Sequence, residues 1–182
     1  MGRKGFTLIE LIVVIAIIAI LAAIIAPNAF RAIEKAKISA TVEDFRSIKT
    51  GAMAYYADTG TWPADCAASP CTALVTNDGT AGWDGPYLEK WPPEAKWAGV
   101  YLLRRAADSD AIVGGYDWDG TAATPNVRVV SISSVPGATA LSSTTAAGRI
   151  DISFDGSTGN TAGSVRYALT NPTTVYILVS RD

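Results

Sequence analysis

One acidic side chain, Glu10, lies inside an otherwise apolar run that covers residues 6–26. A carboxylate within a membrane-length apolar helix is costly, and it is expected to have a dedicated partner. Cleavage of the chain after Gly5 would create such a partner, because Phe6 would then carry a free, positively charged α-amine. An N-terminal amine at Phe6, if cleavage made one, would be a suitable partner for the Glu10 carboxylate.

The apolar run has the length of a membrane anchor. It contains 21 residues, and a hydrocarbon core of ~30 Å needs about 20 helical residues to cross it. Arg3 and Lys4 stand just before the run, which favours a cytoplasmic N-terminus. These features predict a single-pass membrane segment over residues 6–27.

Two other interpretations of this segment compete. A secretory signal peptide has an apolar region of about 7–15 residues and an Ala-x-Ala-like cleavage site. Here the run is longer, and Pro27 follows the best small-residue site at Ala26. A plain membrane anchor fits the length but gives no reason to keep Glu10 in the bilayer.

The segment Gly5-Phe6-Thr7-Leu8-Ile9-Glu10 resembles the prepilin signal of the type IV pilin and pseudopilin superfamily. The resemblance extends through Pro27 and weakens beyond it. It implies that residues 1–5 are a leader, that a prepilin peptidase cuts between Gly5 and Phe6, and that Phe6 becomes N-methylated. It also implies that Glu10 is the assembly residue, and that partners are the bacterial inner membrane, the pilus assembly machinery and sister subunits in a helical filament.

Composition argues against several other functions. The net charge is −2, and loss of Arg3 and Lys4 leaves 13 basic side chains against 17 acidic ones, a net of −4. Such a balance disfavours a protein that grips phosphate backbones, so nucleic acid is not an expected partner. The chain has no histidine, the commonest general base, and no nucleophile or nucleotide-binding motif. We therefore expect no enzymatic activity and no cofactor.

Cysteine and aspartate residues suggest two further local features. Cys66 and Cys71 are five positions apart and predict a local disulfide outside the cytoplasm, with two free thiols as the alternative. Asp117 and Asp119 have a spacing that lets two carboxylates reach one calcium ion, and two further aspartates, Asp108 and Asp110, lie nearby. Because a full calcium-binding loop is missing, we interpret them as solvated turn residues and expect no metal.

The apolar run continues into an amphipathic helix. Apolar residues recur there at spacings of three and four, which predicts one buried face; they are Phe30, Ile33, Ile38, Val42, Phe45, Ile48, Ala52 and Tyr55. We expect one helix of about 50 residues, or ~75 Å, that ends near Gly60. Pro27 lies near the join between its two halves and predicts a kink.

The rest of residues 28–182 predicts a globular head. Residues 59–99 are rich in turn formers and aromatic side chains, which indicates a long ordered loop. In the β-sheet region, residues 100–182, short β-type runs alternate with turns, and residues 133–148 are expected to form a loop. The predicted strands cover residues 100–104, 111–116, 127–133, 149–154, 164–169 and 174–180. A long helix packed on an antiparallel sheet gives an α+β fold.

The sequence therefore predicts a structural subunit of a type IV pilus-like filament, held in the inner membrane before assembly and present in a cell-surface pilus afterwards. The alternative is the major pseudopilin of a type II secretion system, in a periplasmic pseudopilus. Gly85-Pro86-Tyr87-Leu88 resembles a segment of those pseudopilins, whereas the head length and the cysteine loop favour the pilus. A DNA-binding competence pilin is disfavoured because no basic face is evident.

Overall fold

The computed structural model describes residues 5–66, 70–106, 127–135, 145–156, 163–167 and 173–181. The chain divides into a first unit that ends at Ala36 and a second unit that begins at Lys37. The described α-helices and strands are α1 (Leu8–Thr59), β1 (Tyr101–Ala106), β2 (Val127–Val135), α2 (Ala146–Asp155), β3 (Val165–Tyr167) and β4 (Thr173–Arg181). Asp108, Asp110, Asp117 and Asp119 lie outside the described residues, as does the predicted strand 111–116.

Helix α1 confirms the predicted long helix, with 52 residues. It is assigned as helical through Pro27, and the kink expected at this residue remains a prediction. The helix ends at Gly60, which has a φ of +68° and donates its N–H to the Tyr56 carbonyl at 2.9 Å. A left-handed glycine just after the last turn is a common helix terminator, because it has no Cβ to clash.

In the second unit, α1 buries one stripe of side chains. The buried apolar members recur at helical spacing and are Ile38, Val42, Phe45, Ile48, Ala52 and Tyr55. Gly51 continues this face, because a Cβ there would lie 3.1 Å from Leu88 Cγ and 3.2 Å from the Tyr87 carbonyl oxygen. The loop is therefore packed directly on the helix at this point.

The predicted stripe was wrong at its first two positions. Phe30 and Ile33 belong to the first unit and are 72% and 53% exposed. Helical periodicity shows which side chains share a face. It does not show where the partner surface begins, and here burial begins at Ile38.

The described part of the sheet has four strands in the order β1-β2-β4-β3, and every pair is antiparallel. Side chains on one face form the core together with the buried stripe of α1; they include Tyr101, Leu103, Val130, Ile132, Val175 and Ile177. Strand residues alternate between faces, so Val127, Val129 and Tyr176 form a second, smaller buried cluster. A long helix packed on an antiparallel sheet confirms the predicted α+β fold.

The strand predicted for residues 149–154 is wrong, because these residues lie in helix α2. Ile150, Ile152 and Phe154 alternate with polar residues, which is a strand-like pattern. However, the Thr145 hydroxyl caps the start of α2 by accepting the Gly148 N–H at 3.1 Å. Gly156, with a φ of 75°, ends the helix. The predicted loop 133–148 was accordingly too long at both ends, since β2 reaches Val135 and α2 begins at Ala146.

In the described part of residues 59–99, a short 3-10 helix covers Thr72–Leu74, and hydrogen bonds tie the segment together. The Leu74 carbonyl accepts from the backbone N–H groups of Tyr87 and Leu88, both at 2.9 Å. The Tyr55 hydroxyl of α1 donates to Asp78 Oδ2 at 2.7 Å. The tryptophans of this loop contribute to the core, because Trp91 is buried and Trp83 and Trp97 pack against it.

The predicted disulfide between Cys66 and Cys71 is confirmed, with 5.4 Å between the two Cα atoms. The Cys66 N–H donates to the Leu103 carbonyl at 2.9 Å, so the small disulfide loop is attached to β1. Cys71 is buried in the core. The disulfide therefore closes a small loop after α1, and the hydrogen bond from Cys66 attaches this loop to the sheet.

A polar contact also connects α1 to the sheet. The Tyr101 hydroxyl donates to Asp44 Oδ2 at 2.9 Å, and Lys96 Nζ lies 3.6 Å from the same oxygen. Burial raises the pKa of Tyr101 above its usual range, and the negative charge of Asp44 acts in the same direction. The phenol therefore stays a hydrogen-bond donor at physiological pH.

Phe45 tests the contact between α1 and the rest of the second unit. Its ring is 2% exposed and lies 4.9 Å from the Phe154 ring, edge to face. Phe45→Ala should lower the free energy of unfolding by about 3–5 kcal/mol, because it leaves a cavity. Arg46→Ala, at the neighbouring exposed position, is the control. It should change the free energy of unfolding by no more than about 0.5 kcal/mol. Thermal unfolding of the full chain in detergent, followed by near-ultraviolet circular dichroism, measures both; equal midpoints would contradict this packing.

Candidate assembly site

The first turn of α1 is built around two side chains, Thr7 and Glu10. Glu10 Oε2 accepts from the Thr7 backbone N–H at 2.8 Å and from the Thr7 hydroxyl at 2.7 Å. In return, the Thr7 hydroxyl oxygen accepts from the Glu10 N–H at 3.3 Å. This reciprocal arrangement is a capping box, which satisfies backbone N–H groups that the first helical turn leaves unpaired.

The two hydrogen bonds that the Glu10 carboxylate accepts from Thr7 both reach the same oxygen, Oε2. Among the described residues, the other oxygen, Oε1, accepts no hydrogen bond. A carboxylate has about four lone-pair sites for donors, so it can hold its own helix turn and still accept a second group.

Thr7 is the member of the capping box that the sequence interpretation missed. A Thr or Ser followed three residues later by Glu, just before an apolar run, is a recognisable capping signal. Thr7-Leu8-Ile9-Glu10 has that pattern. This pattern is sufficient to predict that Glu10 caps its own helix, in addition to carrying a charge.

The predicted cleavage junction lies immediately before the capped turn. Gly5 and Phe6 precede the helix in non-helical backbone, and the Phe6 side chain is 86% exposed. Thr7 is the only residue between Phe6 and the start of α1 at Leu8. The predicted junction therefore lies about one helical turn before Glu10 along the chain.

The first unit presents its apolar side chains outward. An 18-residue window of α1 has a mean hydropathy of 3.3, and none of it is buried. By length and composition, this helix can cross a membrane. Every large apolar side chain from Leu8 to Ile25 that the structure describes is about half exposed or more. This surface must be covered by lipid or by other protein, because so large an apolar area is unfavourable in water.

The remaining predicted site residues lie elsewhere. Pro27 is within α1 in the first unit, and Cys66 and Cys71 belong to the second unit. Within the described ranges, no group of three or more histidine, cysteine, aspartate or glutamate residues is placed to hold a metal ion. Chemistry at the site is therefore that of one carboxylate, one hydroxyl and the terminus that cleavage would expose.

Two family descriptions match parts of the chain. Residues 1–26 match the prokaryotic N-terminal methylation motif, which covers the predicted junction, Thr7 and Glu10. Residues 32–117 match the C-terminal region of PilW.

A curated relative and a solved structure are also similar to the chain. Fimbrial protein EcpC of Eikenella corrodens is 34% identical over 124 residues, which cover 64% of this chain and 81% of that protein. The major type IV pilin PilA1 of Clostridium difficile is 21% identical, with a TM-score of 0.43 over 83% of this chain and 98% of that one. The identity to the fimbrial protein over most of its length, together with the methylation motif, shows that this chain belongs to the type IV pilin superfamily.

Proposed function

We propose that this chain is made as a prepilin, is held in the bacterial inner membrane with its N-terminus in the cytoplasm, and is then assembled into a cell-surface pilus. The observation that carries the proposal is the capped Glu10 at the start of a helix whose apolar surface is exposed. In the assembled state, the same surface packs in a core of sister helices. It therefore leaves lipid without meeting water.

Removal of residues 1–5 would create the second group of the assembly contact. The new α-amine of Phe6 is positively charged below its usual pKa of about 7.7–8.0. We propose that this amine meets Glu10 of a neighbouring subunit, where Oε1 has no described partner. Oε2 meanwhile remains bonded to Thr7 of its own chain.

This pairing would select the stagger between subunits. A buried ion pair contributes little net stability, but an unpaired buried charge is strongly unfavourable. Only neighbours docked at the correct offset would satisfy both the amine and the carboxylate. The charge pair therefore acts mainly as a register device, and the apolar helix surface supplies most of the attraction.

The secretion pseudopilus is the second candidate. Its support is the Gly85-Pro86-Tyr87-Leu88 segment, which resembles one in pseudopilins. In this structure Tyr87 and Leu88 pack against Gly51 of α1, so the segment has a packing role in the head that either filament would need. The pilus remains the preferred function, and DNA capture is disfavoured by the acidic balance of the chain.

Deletion of the gene should remove filaments from the cell surface if the pilus proposal is correct. Electron microscopy of sheared and intact cells measures this, and expression of the wild-type chain in the deletion strain is the control. Normal surface filaments together with a defect in protein secretion would instead support the pseudopilus.

The predicted processing can be tested by mass. Mature protein in the sheared fraction should begin at N-methylated Phe6, and Gly5→Leu should block cleavage because it replaces the small residue at the junction. Gly2→Leu makes the same change within the leader and should be processed normally. Filament protein that retains residues 1–5, or that begins near Pro27, would contradict the predicted junction.

Glu10→Gln tests the assembly contact, because it keeps the shape of the side chain and removes its charge. The variant should reach wild-type levels in the membrane, because it removes a charge rather than adding one. A central charge costs ~2.5–3.5 kcal/mol on insertion scales. Filaments should become scarce, because a neighbouring amine would be buried unpaired at a cost of ~3–5 kcal/mol.

A matched control is Glu43→Gln, which makes the same change at an exposed position of α1 in the second unit and should leave filament yield unchanged. Yield is measured by shearing, with membrane levels determined in the same cells. Wild-type yield from Glu10→Gln would show that the charge does not set the register.

A further inference from the structure

The segment that follows the apolar run, residues 28–37, is basic although the chain as a whole is acidic. It holds three basic side chains, Arg31, Lys35 and Lys37, against one carboxylate, Glu34, whereas the net charge of the whole chain is −2. Arg31 and Lys35 are exposed, and the ion pairs among the described residues involve neither of them. Their positive charge is therefore available to a partner outside the chain.

The same segment carries two large apolar side chains that the chain does not cover. Phe30 and Ile33 are 72% and 53% exposed, and both belong to the first unit, outside the buried stripe of α1. They are three residues apart, so they share one face of the helix, and Arg31 and Lys35, four residues apart, share another. The segment thus presents apolar and basic side chains side by side to its surroundings.

Helix length places this segment at the surface of a bilayer. The part of α1 from Leu8 to Ala26 spans about 28 Å at ~1.5 Å per residue, close to the ~30 Å of a hydrocarbon core. Phe30 then lies about 6 Å beyond the core and Ile33 about 10 Å beyond it, at the level of a headgroup layer that is about 5–8 Å thick on each side.

The direction of helical side chains brings the basic residues back to the same level. In an α-helix the Cα–Cβ bonds tilt toward the N-terminus, and here the N-terminal side of residues 28–37 is the membrane side. The long side chains of Arg31 and Lys35 can therefore extend toward the headgroups and keep their charges in the polar layer, as such side chains do near membrane surfaces.

Membrane orientation does not explain these cations. In the proposed topology, Arg3 and Lys4 lie on the cytoplasmic side, and residues 28–37 lie on the opposite side. The positive-inside rule favours basic residues on the cytoplasmic side, so it gives no reason to place three of them just beyond the other surface. Attraction to anionic phospholipids is such a reason, because it acts on basic residues within a Debye length of a charged membrane.

We propose that residues 28–37 form an interfacial anchor that binds anionic phospholipid headgroups at the outer surface of the inner membrane. Phe30 and Ile33 enter the boundary between headgroups and acyl chains, and Arg31 and Lys35 pair with headgroup phosphates. Helices that bind membrane interfaces combine these residue types on adjacent faces. The anchor rests on the membrane placement in the proposed function, and it adds a lipid class and the residues that select it.

Nitroxide labels measure the depth of single positions in the full chain, in vesicles of phosphatidylcholine and phosphatidylglycerol at a low protein-to-lipid ratio. The native cysteines are joined in a disulfide, so a label attaches only to the cysteine introduced by Ile17→Cys, Ile33→Cys or Ser47→Cys. Relaxation by a water-soluble nickel chelate should be weakest at position 17, intermediate at position 33 and strongest at position 47, which is exposed in the second unit.

The three positions separate the anchor from the membrane segment. Ile33 is exposed within the chain, so shielding of its label would come from the bilayer. A shielded position 17 with position 33 as accessible as position 47 would overturn the anchor and leave the membrane segment intact. An accessible position 17 would contradict the membrane placement itself, and the anchor with it.

The lipid class is tested by native mass spectrometry of the full chain released from vesicles that contain equal amounts of the two lipids. The wild type should retain phosphatidylglycerol in preference to phosphatidylcholine. Arg31→Gln combined with Lys35→Gln should lower the retained phosphatidylglycerol by roughly half or more, because it removes two cations at the anionic surface.

Arg46→Gln combined with Lys49→Gln is the matched control, since it removes two cations from the part of α1 that belongs to the second unit. This control should retain as much phosphatidylglycerol as the wild type. Equal retention of both lipids by the wild type, or an equal loss of phosphatidylglycerol from the two double variants, would overturn the proposal. Unchanged retention after Arg31→Gln with Lys35→Gln would do the same.

Discussion

The apolar surface of the first half of α1 is the constraint on which the rest of the molecule depends. No part of the chain that the structure describes covers this surface, and water is an unfavourable environment for it. The subunit must therefore have lipid or other protein around residues 6–26 at every stage. In the proposed pathway, assembly exchanges one apolar environment for another, so the hydrophobic effect alone distinguishes the two states only weakly. In that pathway, the proposed charge pair at the start of the helix would set where neighbours stop.

Continuity of α1 links that constraint to the head. The helix carries two surfaces in sequence, an unbroken apolar one and then a single buried stripe that begins at Ile38. The stripe holds the sheet and the loop through Phe45, through the Tyr55 contact to Asp78, and through the close approach of Leu88 at Gly51. The Cys66–Cys71 bridge and the bond from Cys66 to β1 then secure the chain just after it leaves the helix.

Much of this fold could be predicted because its signals are periodic. The spacing of three and four predicted the face of α1, and β-rich runs located the four described strands to within one or two residues of their ends. Residues 149–154 failed because Ile150, Ile152 and Phe154 mimic a strand. In the structure, Ala146, Ile150 and Phe154 are four residues apart and their side chains pack at the core. This spacing places them on one face because the segment is helical, with Thr145 as its N-terminal cap. Phe30 and Ile33 failed for a different reason, since no local pattern reports where a tertiary partner ends.

The candidate site was predictable in identity but not in geometry. The sequence pattern identified Glu10, and we expected its carboxylate to pair with an amine of another subunit. The structure gives the same carboxylate a partner within its own turn, because Thr7 donates to it twice. That local pairing reduces the cost of keeping a carboxylate in an apolar helix, since hydrogen bonds to the charged form stabilise it. It also fixes the side chain at the N-terminal end of the helix, beside the position that cleavage would expose. A group that is already oriented loses little conformational entropy when a second donor arrives, so the capping box and the proposed intersubunit pair support each other. If Glu10 forms the proposed intersubunit pair, Thr7 would contribute to register through it, even though Thr7 carries no charge itself.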